Sequence, residues 1–368
     1  MGASTISAQA PTHPLDHLSA AEHWTLYQVI RESGEIGEEA RFLFANLRPP
    51  PKAEVLAWQP GQSFRRDAFV HIVEDGTGYE AVVDLVGEEL ISWEVASESS
   101  YMLGPDDWSS TDDVTEHPEV HAALEARGYT DFTMISCGVG STAYLGEEDQ
   151  LGRRIGRGSC SDKTGSVNGL GEQIPGLAFV FDYETKEVLE VIDSGAIPGR
   201  GPVAEHHPEA VGPTREPLPP IIVSQPQGAG FEVDGSQFSW ESWRFHLRMD
   251  PRVGLVLSQV GHEMDGEFRS ILYEASLSEL FVPYQGPTAP WSHQAYYDLG
   301  SFASTFEGIA GSMEVGRDCP ARAHYIDSWV VKPDGSPQRK ARVACVFERP
   351  GAEPASGGTW APQVSTRS

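Results

Sequence analysis

Twice in the first half of this chain a short helix leads into strand-like runs joined by polar turns, and that alternation limits the folds open to it. In PLDHLSAAEHWTLYQVIRES, Asp16 or Ser19 can cap a helix in which Leu26, Val29 and Ile30 share one face. Ala68 to Glu74 and Tyr79 to Val86 then read as strands, with Asp75 to Gly78 turning the chain between them, and Leu90 to Val95 as a third. The plan recurs after residue 100. His117 to Gly128 is a short helix with Pro118 in its first turn and Gly128 at its end. Phe132 to Ser136, Gly176 to Asp182 and Val188 to Asp193 follow as strands, the last two joined by a polar turn at Tyr183 to Lys186. A helix followed by an antiparallel meander, twice over, predicts two small α+β domains, spanning 14–100 and 101–197.

Residues 198–220 are rich in proline and glycine and read as an extended linker. From residue 221 the spacing becomes that of an all-β unit, with GFEVDGSQFSW, WRFHLRMD, LVLSQVGHE and ILYEASLSELFVPY as successive strand-bearing runs. This region, 221–350, predicts a sandwich or part of one. Residues 1–13 read as a flexible N-terminus, and the Pro/Gly/Ser-rich residues 351–368 as a disordered tail.

Composition narrows the functions. The 368 residues carry a formal charge of −28, from 54 acidic against 26 basic side chains. Such a surface repels nucleic acid, whose binding rests on Lys and Arg neutralising phosphates. It suits solubility first, and a cationic small molecule such as an amine second. No run approaches the eighteen or so apolar residues of a transmembrane helix. The N-terminus lacks the basic start and apolar run of a secretory signal, so the expected compartment is the cytoplasm. Four cysteines are too few for a disulfide-built domain, and none forms a C-x-x-C pair.

The order of several segments resembles the copper-containing primary-amine oxidases. HPLDHLSAAE is similar to the family's opening helix, YEAVVDLVGEELISWE to its first hairpin, and HPEVHAALEARGYTDF to the helix of its second small domain. GFEVDGSQFSWESWRFHLRMDPRVGLVL resembles the start of its large β-sandwich, and ILYEASLSELFVPYQGPTAP…AYYDLG is the strongest match. The resemblance implies two cystatin-like α+β domains followed by a truncated antiparallel β-sandwich. It also implies roles. Asp298, in the D-x-G sequence, stands where the family's general base removes the α-proton from the Schiff base of substrate amine and topaquinone. Such a carboxylate needs a partly desolvated pocket that lifts its pKa toward working pH. Tyr284 matches the tyrosine that hydrogen-bonds the quinone oxygen, and Tyr296 the side chain that gates the amine channel. Cys319 and Cys345 fall where the family places an intrachain disulfide, a closure worth about 3–4 kcal/mol when unstrained.

The departures matter equally. Ser301 stands where the family continues D-x-G with Glu, about two residues are inserted before Asp318, and Arg317 replaces a common Cys. No Asn-Tyr dipeptide, from which topaquinone is made, occurs in the sequence, and no His-x-His pair that would hold copper. His117 and His121 are spaced to share an ion on one helix face, but two ligands do not make a site, and His206 and His207 point apart. The sequence therefore predicts no metal ligands and no cofactor made by this chain alone; copper and topaquinone are the family's. Three functions follow. The chain is the base- and gate-bearing part of an amine oxidase completed by a second chain, or a cofactor-free enzyme using Asp298 for proton transfer, elimination or cyclisation, or a non-catalytic partner-binding subunit. A homodimer or a second chain closing the sandwich is expected in each case, because cut sheets leave open edges.

Overall fold

The computed structural model describes residues 10–96, 112–141, 153–166, 171–198, 205, 208–213, 215–216, 219, 226–277, 280–284, 286–297 and 312–348. Helix α1, Ala20–Glu32, is capped by Ser19 rather than Asp16: its hydroxyl accepts the Glu22 N–H while the Glu22 carboxylate takes the Ser19 N–H. Leu26 and Ile30 are fully buried, against a four-stranded antiparallel sheet of β1 (Arg41–Arg48), β2 (Asp67–Glu74), β3 (Thr77–Asp84) and β4 (Glu89–Val95) in sequential order. A short helix, α2 (Lys52–Ala57), crosses between β1 and β2. The turn residue Asp75 sits at φ 49°, as a tight two-strand connection requires.

The second unit repeats the plan. A 3₁₀ turn, Asp112–Glu116, precedes α3 (Pro118–Ala126), which ends before Gly128 at φ 92°. Its sheet runs β5 (Ile135–Ser141), β6 (Ile155–Asp162), β8 (Leu177–Asp182), β9 (Glu187–Asp193), with β7 (Glu172–Gln173) pairing β6. The strand expected at Phe132–Ser136 starts later, at Ile135, because the Asp131 carboxylate takes the Thr133 N–H and turns the chain there. Cys137 and Cys160 are register partners on β5 and β6 and are disulfide-bonded. The four-residue helix α4 is Pro208–Val211.

The third unit is a five-stranded antiparallel sheet: β10 (Phe231–Asp234), β11 (Gln237–Trp240), β12 (Trp243–Asp250), β13 (Gly254–Met264) and β14 (Glu267–Ser276). After β15 (Phe281–Pro283) and β16 (Ala295–Tyr297), a hairpin of β17 (His324–Val331) and β18 (Pro337–Val346) lays a second layer over it. Phe238, Leu247 and Met249 meet Ile326 and Val343 in the core between them. This is the two-layer arrangement of a partial antiparallel sandwich.

Strand β12 is buried on both faces from His246 to Asp250. Odd positions face the apolar core, whereas His246, Arg248 and Asp250 face the first unit. There Asp250 Oδ2 accepts from Asn46 Nδ2 at 2.7 Å, and His246 Nε2 lies 2.9 Å from Asp16 Oδ1. Burial alone would raise the Asp16 carboxyl, but the His246 bond and the Thr12 and His13 N–H groups hold it well below the usual carboxylate range. The tip of the last hairpin returns to the N-terminal sheet: Val331 joins its core, Phe42 N–H donates to Pro333 O at 2.8 Å, and the Phe42 ring lies against Gly335.

Candidate functional site

The segment that carries the sequence-predicted site is a short hairpin. β15 and β16 pair antiparallel with Phe281 opposite Tyr297, Val282 opposite Tyr296 and Pro283 opposite Ala295. The pairing continues past the strand end, where Tyr284 N–H donates to Gln294 O at 2.9 Å. The loop between them folds back on itself through Ser292 N–H to Thr288 O and His293 N–H to Pro290 O, with a cis bond at Ala289–Pro290. Gly286 is needed at this point, since a Cβ there would sit 2.5 Å from the Trp291 Cβ. Trp291 packs beside Tyr284, ring centroids 5.1 Å apart and tilted by 50°.

The second unit braces this loop. Gly176 N–H donates to Ala289 O at 2.7 Å, Ala289 N–H to Ser194 Oγ at 3.3 Å, and Arg157 Nη1 to His293 O at 3.1 Å. Ala289 and Gln294 are buried, while Tyr284 is half-buried. Of the sequence-predicted residues, Tyr284 and the Tyr296 backbone are therefore brought onto one hairpin. Asp298, one residue beyond Tyr297, lies outside the described residues, as do His206 and His207. Cys319 and Cys345 are joined as a disulfide tying the approach to β17 to strand β18. His121 packs on Phe132 with centroids 4.4 Å apart, and its Nδ1 lies 3.8 Å from a Glu125 carboxylate oxygen one helical turn on.

Trp291, Gln294 and Arg157 were not singled out by the sequence. Trp291 and Gln294 lie inside the matched segment without a chemical signature. Arg157 reaches the loop from 136 residues away, a contact that no local pattern carries. Among the described residues, one group of three side chains could together ligate a metal: His13, Asp16 and His246. Two imidazoles and a carboxylate on β12 and the N-terminal turn are not the converging imidazoles that copper of the family type needs, so the described residues do not fit that copper site.

A copper amine oxidase N2 domain model matches residues 13–96, and the copper amine oxidase enzyme domain model matches residues 232–356. The primary amine oxidase of Arthrobacter sp. (strain P1) is 31% identical over 345 residues, covering 92% of this chain and 52% of that protein. Amine oxidase [copper-containing] gamma 1 of Arabidopsis thaliana is 31% identical, covering 93% of this chain and 49% of the relative. The solved copper-containing benzylamine oxidase of Hansenula polymorpha superposes with a TM-score of 0.73 at 24% identity, over 92% of this chain and 55% of that one. That likeness speaks for the fold: two α+β units and an antiparallel sandwich, as seen here. The chain belongs to the copper amine oxidase family. It spans about half the length of the curated relatives it matches.

Proposed function

We propose that this chain is the base- and gate-bearing part of an amine-processing enzyme, acting in oxidative deamination of a primary amine when a second chain supplies the copper and quinone chemistry. The observation that supports this reading is the braced β15–β16 hairpin, with Tyr284 just past the end of β15, Tyr296 on β16, and Asp298 two residues further along the sequence. In this reading Asp298 takes the proton from the carbon bearing the amine, the Tyr284 hydroxyl orients the reacting group, and Tyr296 controls entry. The charge of −28 favours a cationic amine over an anionic substrate.

The need for a completing partner is supported by the open side of the sheet. Among the described residues β14 is an edge strand, and Met264, Phe268, Ile271, Leu277, Leu280 and Phe281 on and beside it are exposed. Unpaired edges and grouped exposed apolar side chains favour association, with a second polypeptide or with a second copy. In the cytoplasm the bridges at Cys137–Cys160 and Cys319–Cys345 would persist because Cys160 and Cys319 are buried. The test is isolation of the protein from its native source, followed by mass determination and amine-dependent peroxide release. The expected result is a complex with a quinone-bearing second chain, whose turnover falls about 10²–10⁴-fold in Asp298→Asn. A lone homodimer without amine turnover rules the reading out.

A further inference from the structure

On the polar face of β12, the turn Thr12–Asp16 closes over His246. His246 Nε2 is 2.9 Å from Asp16 Oδ1, and the His13 ring stacks on the His246 ring with centroids 4.5 Å apart. One donor atom from each of the three lies within 4.8 Å of the other two. Asp16 and His246 are buried, 7% and 2% exposed, while His13 is half-buried at the rim. The far oxygen of the carboxylate is already pinned, Oδ2 accepting the N–H groups of Thr12 at 2.8 Å and His13 at 3.0 Å. Oδ1 alone is left for His246.

Two buried polar atoms here have no partner, His246 Nδ1 and Ser258 Oγ, and Ser258 is 0% exposed. The two residues face each other across the β12–β13 ladder, so their side chains share one face of the sheet. The Asp16 carboxylate only accepts, so this hydrogen bond places a proton on His246 Nε2. Both are buried polar atoms next to the three-residue cluster that no protein group satisfies.

We propose that His13, Asp16 and His246 bind a divalent transition ion of the zinc class, which fastens the N-terminal turn to β12. Two imidazoles and one carboxylate are a donor set that zinc accepts, with water in the fourth position on the His13 side. An ion on Nε2 displaces the proton held there and leaves the second ring nitrogen, Nδ1, to carry an N–H on the sheet face that Ser258 shares; ligating histidines characteristically hold such an N–H. The Oδ1–Nε2 separation opens by a few tenths of an ångström to fit two bonds of about 2.0–2.1 Å. His13 offers one ring nitrogen to the ion, and its Nδ1 accepts the Leu15 N–H at 3.1 Å. The joined segments are 230 residues apart in sequence, so the ion acts as a structural cross-link and takes no part in amine chemistry.

The experiment is titration of the chelator-stripped full chain with Zn²⁺ by calorimetry and with Co²⁺ by visible absorption. One equivalent should bind at micromolar Kd or tighter, with a tetrahedral Co²⁺ spectrum and a raised thermal midpoint. His246→Gln and His13→Gln should each weaken binding at least tenfold, Ser258→Ala about tenfold as a support of the ligand, and His121→Gln not at all. Failure to bind, or binding that survives both ligand substitutions, overturns the site. Should His246→Gln not fold, X-ray absorption on the Zn-loaded wild-type chain decides: two imidazole ligands support the site and fewer refute it.

Discussion

The sharpest prediction concerns His23, which sits on the buried face of α1 at 1% exposure. Its Nδ1 donates to Ser19 O at 2.9 Å, and its Nε2 has no partner. Burial, which penalises the imidazolium, pulls its pKa from 6.5 to about 4. Between those values the unfolded chain holds a proton that the folded chain does not, so stability rises with pH. The full contribution is present above pH 6.5 and is lost as pH falls toward 4. From pH 7.5 to 4.5 about two units of that gap are crossed, and at about 1.4 kcal/mol per unit the loss is about 3 kcal/mol. His23→Leu removes the titration while Ser19 O keeps the His23 backbone N–H as its donor, at 3.0 Å. Urea unfolding of both proteins at pH 7.5 and 4.5 isolates the effect, since every other titrating group is shared. The stability lost on acidification should be about 3 kcal/mol smaller in His23→Leu than in the wild type. Equal losses in the two proteins would refute the assignment.

Two further substitutions test the framework around the site. Arg66 is 3% exposed; its Nη1 donates to Pro14 O and Asp16 O, and its Nε to Glu22 at 2.6 Å. Arg66→Met removes the buried charge that Glu22 pairs with and the donor of those carbonyls, and should remove about 3–5 kcal/mol, read as a fall in the denaturation midpoint. Gly158→Ala drives a methyl to 2.4 Å from Phe179 Cζ and 2.6 Å from Gly138 O, so the β5–β6 ladder must shift. A loss of about 1–3 kcal/mol is expected, and unchanged hydrogen exchange at β5 would count against the close packing described.

What could be read in the sequence was the part carried by local pattern. WRFHLRMD is a strand over its whole length, Gly128 ends its helix at positive φ, and the polar turn 183–186 joins two strands as expected. The choice between Asp16 and Ser19 as cap was open, because both are good capping residues at plausible distances. It was settled by a residue 230 positions away, since His246 claims the Asp16 carboxylate. Strand β6, IGRGSCSD, was missed because glycine is a poor strand former in isolation. Here Gly156 and Gly158 make room for the Tyr183 and Phe179 rings, which only the folded sheet reveals. Strand β1, RFLFANLR, was missed because it is buried on both sides of its middle and so shows little alternation. At the site, Tyr284 and Tyr296 were legible only through resemblance, and the bracing by Gly176, Ser194 and Arg157 through nothing local at all.

The hairpin of β17 and β18 has a kinetic meaning. Arg31 donates to Asp334 O across 303 positions, and Val331 packs into the core that holds Leu26 and Ile30 of α1. A nascent chain therefore cannot finish its first core until Val331 has left the ribosome. Until then the opening segment waits, apolar and partly built, for a hairpin made far later in translation.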